Sequence, residues 1–465
     1  MKIKKAIPIC VVSILILALL TVFSGCTKQQ QTPSTEPSEV STTETGTKGA
    51  EPEIPSVPVV EVSFGHEPYM DHTQLIIALD KGWTKDVGVK ILPDPNGKVI
   101  PAENCIPVFA SGEVDVISAS VPLFLGGSKQ MPKFKFFFGA TIFQGYAIMA
   151  QPDAGYKSVQ EFVLEGMAPD AALKAAVEQM RGKKFAYPAE AAVKGFIDLS
   201  LKKGGLTLKD TESVVAEDSK TTAMMIAKRA DFQVGGVPSR LTLESEGFKP
   251  IITSADLAQN AKASPDSEEL RAIFLDGWVA SDDYIADNYD TVLRMASIGW
   301  RINQTINEKP QDVIKTHLNF LNSKAGTNLS EATGNVIYTS LCPFITFKDQ
   351  AKWFDDNNAI SDNNIIGSYI KMWEEKGYFK AGEVKPSDFS IASKVYADMT
   401  QYKADTDAAL VKAKALISDA KSAGKDLVKA TEMVTKAEFY YGIFDFLDSS
   451  RFAKAAVTWA EYEAK

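Results

Sequence analysis

Histidine is the scarcest chemistry-bearing residue in this chain: 465 residues contain three, His66, His72 and His317. His66 and His72, flanked by Glu67 and Asp71, lack the tight spacing of a metal-ligand motif, so neither a metal nor a cofactor is expected. Cysteine is nearly as rare, at four. Cys10 and Cys26 lie near the N-terminus, which leaves Cys105 and Cys342 for one disulfide at most and rules out a disulfide scaffold. No excess of basic charge is present. The net charge is −9, and residues 1–25 carry Lys2, Lys4 and Lys5 without an acid, so the remainder carries −12. Nucleic acid calls for a basic footprint and is excluded as a partner. The sequence also has no Gly-x-Ser-x-Gly elbow, no Gly-x-x-x-x-Gly-Lys-Ser/Thr phosphate loop and no distinctive Cys–His pairing, so it is not expected to be an enzyme.

One long apolar run is present, Ala6 to Phe23, behind the basic start. It ends in Phe23-Ser24-Gly25-Cys26, small residues before a cysteine, which is the layout of a signal peptide. These four residues resemble the lipobox of prokaryotic lipoproteins, with Phe23 in place of the usual Leu. The resemblance implies that residues 1–25 are removed and that Cys26 is lipidated, anchoring the chain on the extracytoplasmic face of the membrane. An uncleaved membrane anchor is the alternative. Residues 26–57 are rich in Thr, Ser, Pro and Glu, and from Thr27 to Val57 there is no aromatic residue. Such a segment cannot offset its ordering entropy and reads as a disordered spacer reaching about 30 Å.

From Val59 the pattern alternates. Val60, Val62 and Phe64 read as a buried strand ending at Gly65, and Leu75, Leu79 and Trp83 as one helix face that stops near Gly82 or Gly88. A second strand spans 89–92. A helix occupies part of 100–111 with Pro107 in its first turn or bending it, and a third strand spans 114–118. Strands alternating with helices imply parallel βαβ units, an α/β class.

Ala110-Ser111-Gly112-Glu113-Val114-Asp115-Val116 resembles the small-Gly-Glu-Val-Asp signature of solute-binding proteins that serve ABC importers, in the nitrate, sulfonate, taurine and thiamine-precursor group. Three further stretches resemble that family in the same order. They are Tyr156-Lys157-Ser158-Val159 leading to Arg181 through Pro188, then Lys228-Arg229-Ala230-Asp231 with Gly236-Val237-Pro238, then Trp278 through Tyr284. The resemblance covers about residues 58–390. It implies a two-lobed, periplasmic-binding-protein-like (type II) α/β fold, with lobe I from 58–151 plus 272–401 and lobe II from 152–271. Hinges are expected near 146–151 and 273–281. The ligand would be a small molecule held between the lobes, a sulfonate-, taurine- or nitrate-like organic anion or else a heterocycle such as a thiamine precursor. It would pass to ABC permease subunits served by a separate ATPase chain. Two departures stand out: a helix-forming insertion at 162–180, and Ala189-Glu190-Ala191-Ala192 where the family has a Gly-Ser or Gly-Thr helix start.

In open α/β sheets ligands meet strand ends and helix starts. That rule selects Tyr69, His72 and Thr73 after the first strand, with His66 and Glu67 beside them, and Ser120 after the third. Gln144, Gly145 and Tyr146 follow, where Gly145 allows close backbone approach. Ala189 and Glu190, then Gly236 and Pro238, complete the set. Trp278 reads as core. Residues 402–465 lie outside the resemblance and read as an appended α-helical hairpin or bundle broken near 424–426 and 442. This tail is either packing or a docking surface, so a ligand-sensing scaffold and an enzyme on the same framework remain the other readings.

Overall fold

The computed structural model describes residues 50–465; residues 1–49, with the signal segment, Cys26 and most of the spacer, lie outside the described part. The first sheet opens with β1 (Val60–His66), β2 (Val89–Leu92), β3 (Lys98–Val99), β4 (Val116–Ser120) and β5 (Phe134–Phe143). A second sheet follows, made of β6 (Ala147–Ala150), β7 (Lys184–Tyr187), β8 (Glu212–Val215), β9 (Phe232–Gln233) and β10 (Lys249–Thr253). The chain then returns to the first sheet as β11 (Phe274–Ser281). Strand order is β2-β1-β4-β11-β5, with β3 also paired to β1, in the first sheet and β10-β6-β9-β7-β8 in the second. β1 runs parallel to β2, β3 and β4, whereas β11 is antiparallel to both β4 and β5. The structure is thus mixed α/β, with two sheets.

Burial explains the strand sequences. All five residues of β4 are buried, as an unbroken apolar or small-residue run must be when both faces of a sheet are covered. Val62 and Phe64 of β1 are fully enclosed. Trp278 on β11 is core, edge-on to Phe64 with centroids 5.5 Å apart and 5.0 Å from Phe138.

Several local expectations shift. The helix carrying Leu75 ends at Lys81, where Gly82 takes φ 72°, and the chain restarts as a second helix at Trp83–Asp86. Pro107 sits inside the helix Ala102–Ala110 rather than in its first turn. The third strand begins two residues late. Asp115 accepts the Ser63 N–H on its carboxylate at 2.8 Å and donates its own N–H to the Ser63 carbonyl at 2.8 Å, and the strand proper starts at Val116. The insertion at 162–180 is not one helix but parts of two, Val159–Leu164 and Pro169–Glu178, divided where Gly166 adopts φ 96°. Cys105 and Cys342 are both buried and free, so no disulfide joins them.

The C-terminal region is three helices, Ala392–Ser422, Val428–Gly442 and Phe446–Glu463. The first begins ten residues ahead of position 402, and Val395 and Met399 are built into the main core. Further along, an alanine-rich cluster that includes Ala413, Ala430, Ala437, Ala456 and Trp459 holds the three together. The last helix is pinned to the body by an ion pair. Arg294 donates from Nε to Asp448 at 2.8 Å and from Nη2 to its other oxygen at 3.3 Å, with both side chains buried. Among the described residues no helix is long and apolar enough to cross a membrane.

Candidate functional site

A narrow cavity of about 30 Å³ opens between the two sheets, room for one or two water molecules. The first sheet contributes the loop after β1, with Glu67, Tyr69, Met70, Asp71 and His72. It also contributes Ser120 at the end of β4, Phe143 at the end of β5 and Phe274 at the start of β11. Across from them stand Glu190 and the stretch Gly236, Val237 and Pro238, which sit at the starts of the helices Ala191–Lys203 and Val237–Ser245. Tyr146, in the three-residue crossover from β5 to β6, closes one side, and Cys342 another. Four of the lining groups are aromatic. Phe143 stacks on Phe274 at 4.5 Å and meets Tyr146 edge-on at 4.7 Å.

Of the residues singled out by sequence, the cavity gathers Tyr69, His72, Ser120, Tyr146, Glu190, Gly236 and Pro238. Thr73, Gln144, Gly145 and Ala189 do not line it. Thr73 is buried behind the loop, where its hydroxyl donates to the Tyr69 carbonyl at 2.8 Å and must accept from His317 Nε2, also at 2.8 Å. His317 Nδ1 then accepts from the Tyr338 hydroxyl at 2.8 Å, which fixes the tautomer. Gln144 turns away to donate to the Ser340 carbonyl. Gly145 acts through packing: a Cβ there would lie 2.2 Å from Val237 Cγ2, so only glycine lets these segments approach so closely. Ala189 is exposed. His66 is likewise not a lining residue; its Nε2 donates to the Asn96 carbonyl at 3.0 Å, and burial lowers its pKa to about 4.

The electrostatics are one-sided. Glu67, Asp71 and Glu190 line the cavity and no Lys or Arg does. Asp276, from β11, lies directly behind: its Oδ1 is 3.5 Å from His72 Nε2. Burial, then the charge of Asp218, pushes Glu190 up to about 7, even though the Tyr146 hydroxyl donates to it at 3.3 Å. Burial, followed by Glu190 and Asp71, holds the Glu67 carboxyl well above the usual range, and burial with Asp71 does the same to Asp276. Burial lowers the pKa of His72, so its ring is neutral. Asp276 is wholly buried, yet neither of its oxygens accepts a hydrogen bond. Asp218 is better served, accepting from Ser239 Oγ at 2.6 Å and Gly236 N at 3.2 Å.

Ser118, His72 and Asp276 form a chain superficially like a hydrolase triad, since His72 Nδ1 lies 3.2 Å from Ser118 Oγ. Ser118 is fully buried and absent from the cavity wall, so its hydroxyl cannot reach a substrate and serves instead to orient the ring. Asp276 escaped sequence reasoning, as did Phe274 and Cys342. One signal was present: an aspartate inside the otherwise apolar run Phe-Leu-Asp-Gly-Trp-Val-Ala is a residue type almost never fully buried without a partner.

No protein-family model matches the chain, and no curated protein matches its sequence. Its mixed α/β fold with two sheets is similar to that of periplasmic binding proteins of known structure. The periplasmic nitrate-binding protein NrtA from Synechocystis PCC 6803 superposes with TM-score 0.51 at 14% identity, covering 74% of this chain and 89% of that one. A putative periplasmic sulfonate-binding protein SsuA of an ABC transporter from Methylobacillus flagellatus KT gives TM-score 0.50 at 12% identity, covering 74% and 96%. At these identities the likeness is one of fold.

Proposed function

We propose that this chain is a solute-binding protein of the ABC-importer kind, tethered outside the membrane through Cys26, which closes its two lobes on a small cation and presents it to a permease. The observation that carries the ligand class is the acidic cavity. An organic anion, the ligand suggested by sequence resemblance, would face Glu67, Asp71 and Glu190 with no Lys or Arg in the wall to neutralise it. A positive ligand would relieve the same carboxylates, and the rings of Tyr69, Tyr146, Phe143 and Phe274 suit a cation equally well.

The type II arrangement and the lobe boundaries 58–151 plus 272–401 and 152–271 belong to this reading. The return of β11 to the first sheet after the second is complete supports them. So does the crossover at 144–146, a short connection about which two bodies can swing. Binding rather than turnover is favoured because the Ser118 hydroxyl is sealed from the cavity.

Thermal melting of the full chain against small cations, sulfonates, nitrate and pyrimidines tests the reading. A ligand at a hundred times its Kd adds about 2.7 kcal/mol of stability. Saturable stabilisation by a cation is the expected result, and stabilisation by anions alone would overturn the assignment.

A further inference from the structure

We propose that Asp71, His72 and Asp276 bind a divalent transition-metal ion at the floor of the cleft, so that the cation of the preceding section is a metal ion; the proposal rests on that reading and narrows it. One ligand atom from each of the three lies within 4.8 Å of the others, and all three residues are buried. Tetrahedral donors at about 2.1 Å from zinc stand about 3.4 Å apart, so small side-chain adjustments bring this set onto one ion. Among the described residues no other group of three or more His, Cys, Asp or Glu is as close.

Proximity of acids alone would mean little; the second observation is the state of Asp276. Both of its oxygens are enclosed and accept no hydrogen bond from an N–H or a hydroxyl, the Asp71 carboxyl standing within hydrogen-bonding reach, and buried polar groups are otherwise almost always satisfied. His72 presents the complementary feature. Its Nδ1 lies 3.2 Å from Ser118 Oγ and its Nε2 3.5 Å from Asp276 Oδ1; in the tautomer that places Nδ1–H on Ser118, the Nε2 lone pair faces that carboxylate. In that tautomer a cation between the two acceptors would satisfy both. A hydrogen bond that fixes the tautomer and aims the other nitrogen is also how metal-binding histidines are commonly held. An imidazole with two carboxylates suits Zn²⁺ or Mn²⁺ better than Ca²⁺, which takes six to eight oxygens.

The test is equilibrium dialysis of the tag-free, chelator-treated full chain against Zn²⁺, Mn²⁺, Mg²⁺ and Ca²⁺, with metal analysis and melting curves on the same samples. One equivalent of Zn²⁺ or Mn²⁺ should bind saturably and raise the melting temperature. Asp276→Asn, an isosteric change, should abolish binding while leaving a cooperative melt. Ser118→Ala, which touches only the orientation of His72, should weaken binding about 10- to 100-fold. No binding by the native chain, or binding unchanged in Asp276→Asn, overturns the proposal. If metals fail while small organic ammonium ions stabilise the chain saturably, the metal site falls and the cation reading stands. If only anions stabilise it, both fall.

Discussion

Asp276 and Asp448 are both aspartates almost wholly withdrawn from solvent, at 0% and 1% exposure, yet they live in opposite circumstances. Asp448, where the C-terminal helices join the body, receives two N–H groups from Arg294 and a third from Arg451. Asp276, under the cleft, has no Lys or Arg partner; its neighbours are His72 Nε2 at 3.5 Å and the Asp71 carboxyl. A buried charge with its counter-ion in the chain is a structural fastening. One without a counter-ion in the chain must hold a proton or take up a cation. The junction supplies Asp448 with its counter-ions from the chain, whereas no Lys or Arg pairs with Asp276.

Removing the cation at the junction should have the largest effect. Arg294→Met leaves Asp448 buried without its main partner, beside Asp445, which burial and the Asp448 charge already hold well above its ordinary pKa. The expected loss is about 3–5 kcal/mol by denaturant titration, and Arg294→Met with Asp448→Leu together should recover most of it. Retained stability in the single variant would erase the contrast with the cleft.

The cleft should respond to pH in the opposite sense from a paired site. Glu190 faces Tyr146, Tyr69, Glu67, Asp71 and Asp218, none of them cationic. Its folded pKa of about 7 lies above the ordinary 4.5. The native state therefore holds the proton more tightly, and stability falls as pH rises from 4.5 to 7, by roughly 3 kcal/mol from this group. Unfolding titrations across that window should show the slope in the ligand-free protein, and Glu190→Gln should reduce it by about that amount, leaving the share of Glu67 and Asp276.

Gly145→Ala sharpens the comparison at the crossover. The new methyl would collide with Val237 and Phe143, costing about 1–3 kcal/mol and weakening ligand binding if closure depends on this approach. The smallest effect belongs to the surface. Lys412→Ala removes an exposed pair with Glu461 on the C-terminal helices and should produce no change that denaturant titration can resolve.

Much of the frame was legible because burial writes itself into apolar runs. β1, β2 and β4 sit within a few residues of where Val62, Phe64 and the stretch from Val114 place them. Tyr146 and Glu190 were legible as the start of an expected hinge and a helix start, and the cavity gathers both. Thr73 and Gln144 were not, because proximity to a strand end says nothing about which way a side chain turns. Asp276 was hidden for a different reason: its significance lies in having His72 and Asp71 but no Lys or Arg beside it, and that is a property of three-dimensional surroundings. The same holds for the junction, where the pairing of Arg294 with Asp448 spans 154 residues.

The most direct test compares ligand-dependent stabilisation of the native chain with that of Asp276→Asn, at pH 7, with cations and anions side by side. The expected result is saturable stabilisation by a cation in the native chain and its loss in the variant, with anions inert in both. Equal stabilisation of both proteins, or stabilisation by sulfonate or nitrate alone, would contradict the assignment of the cleft as a cation site.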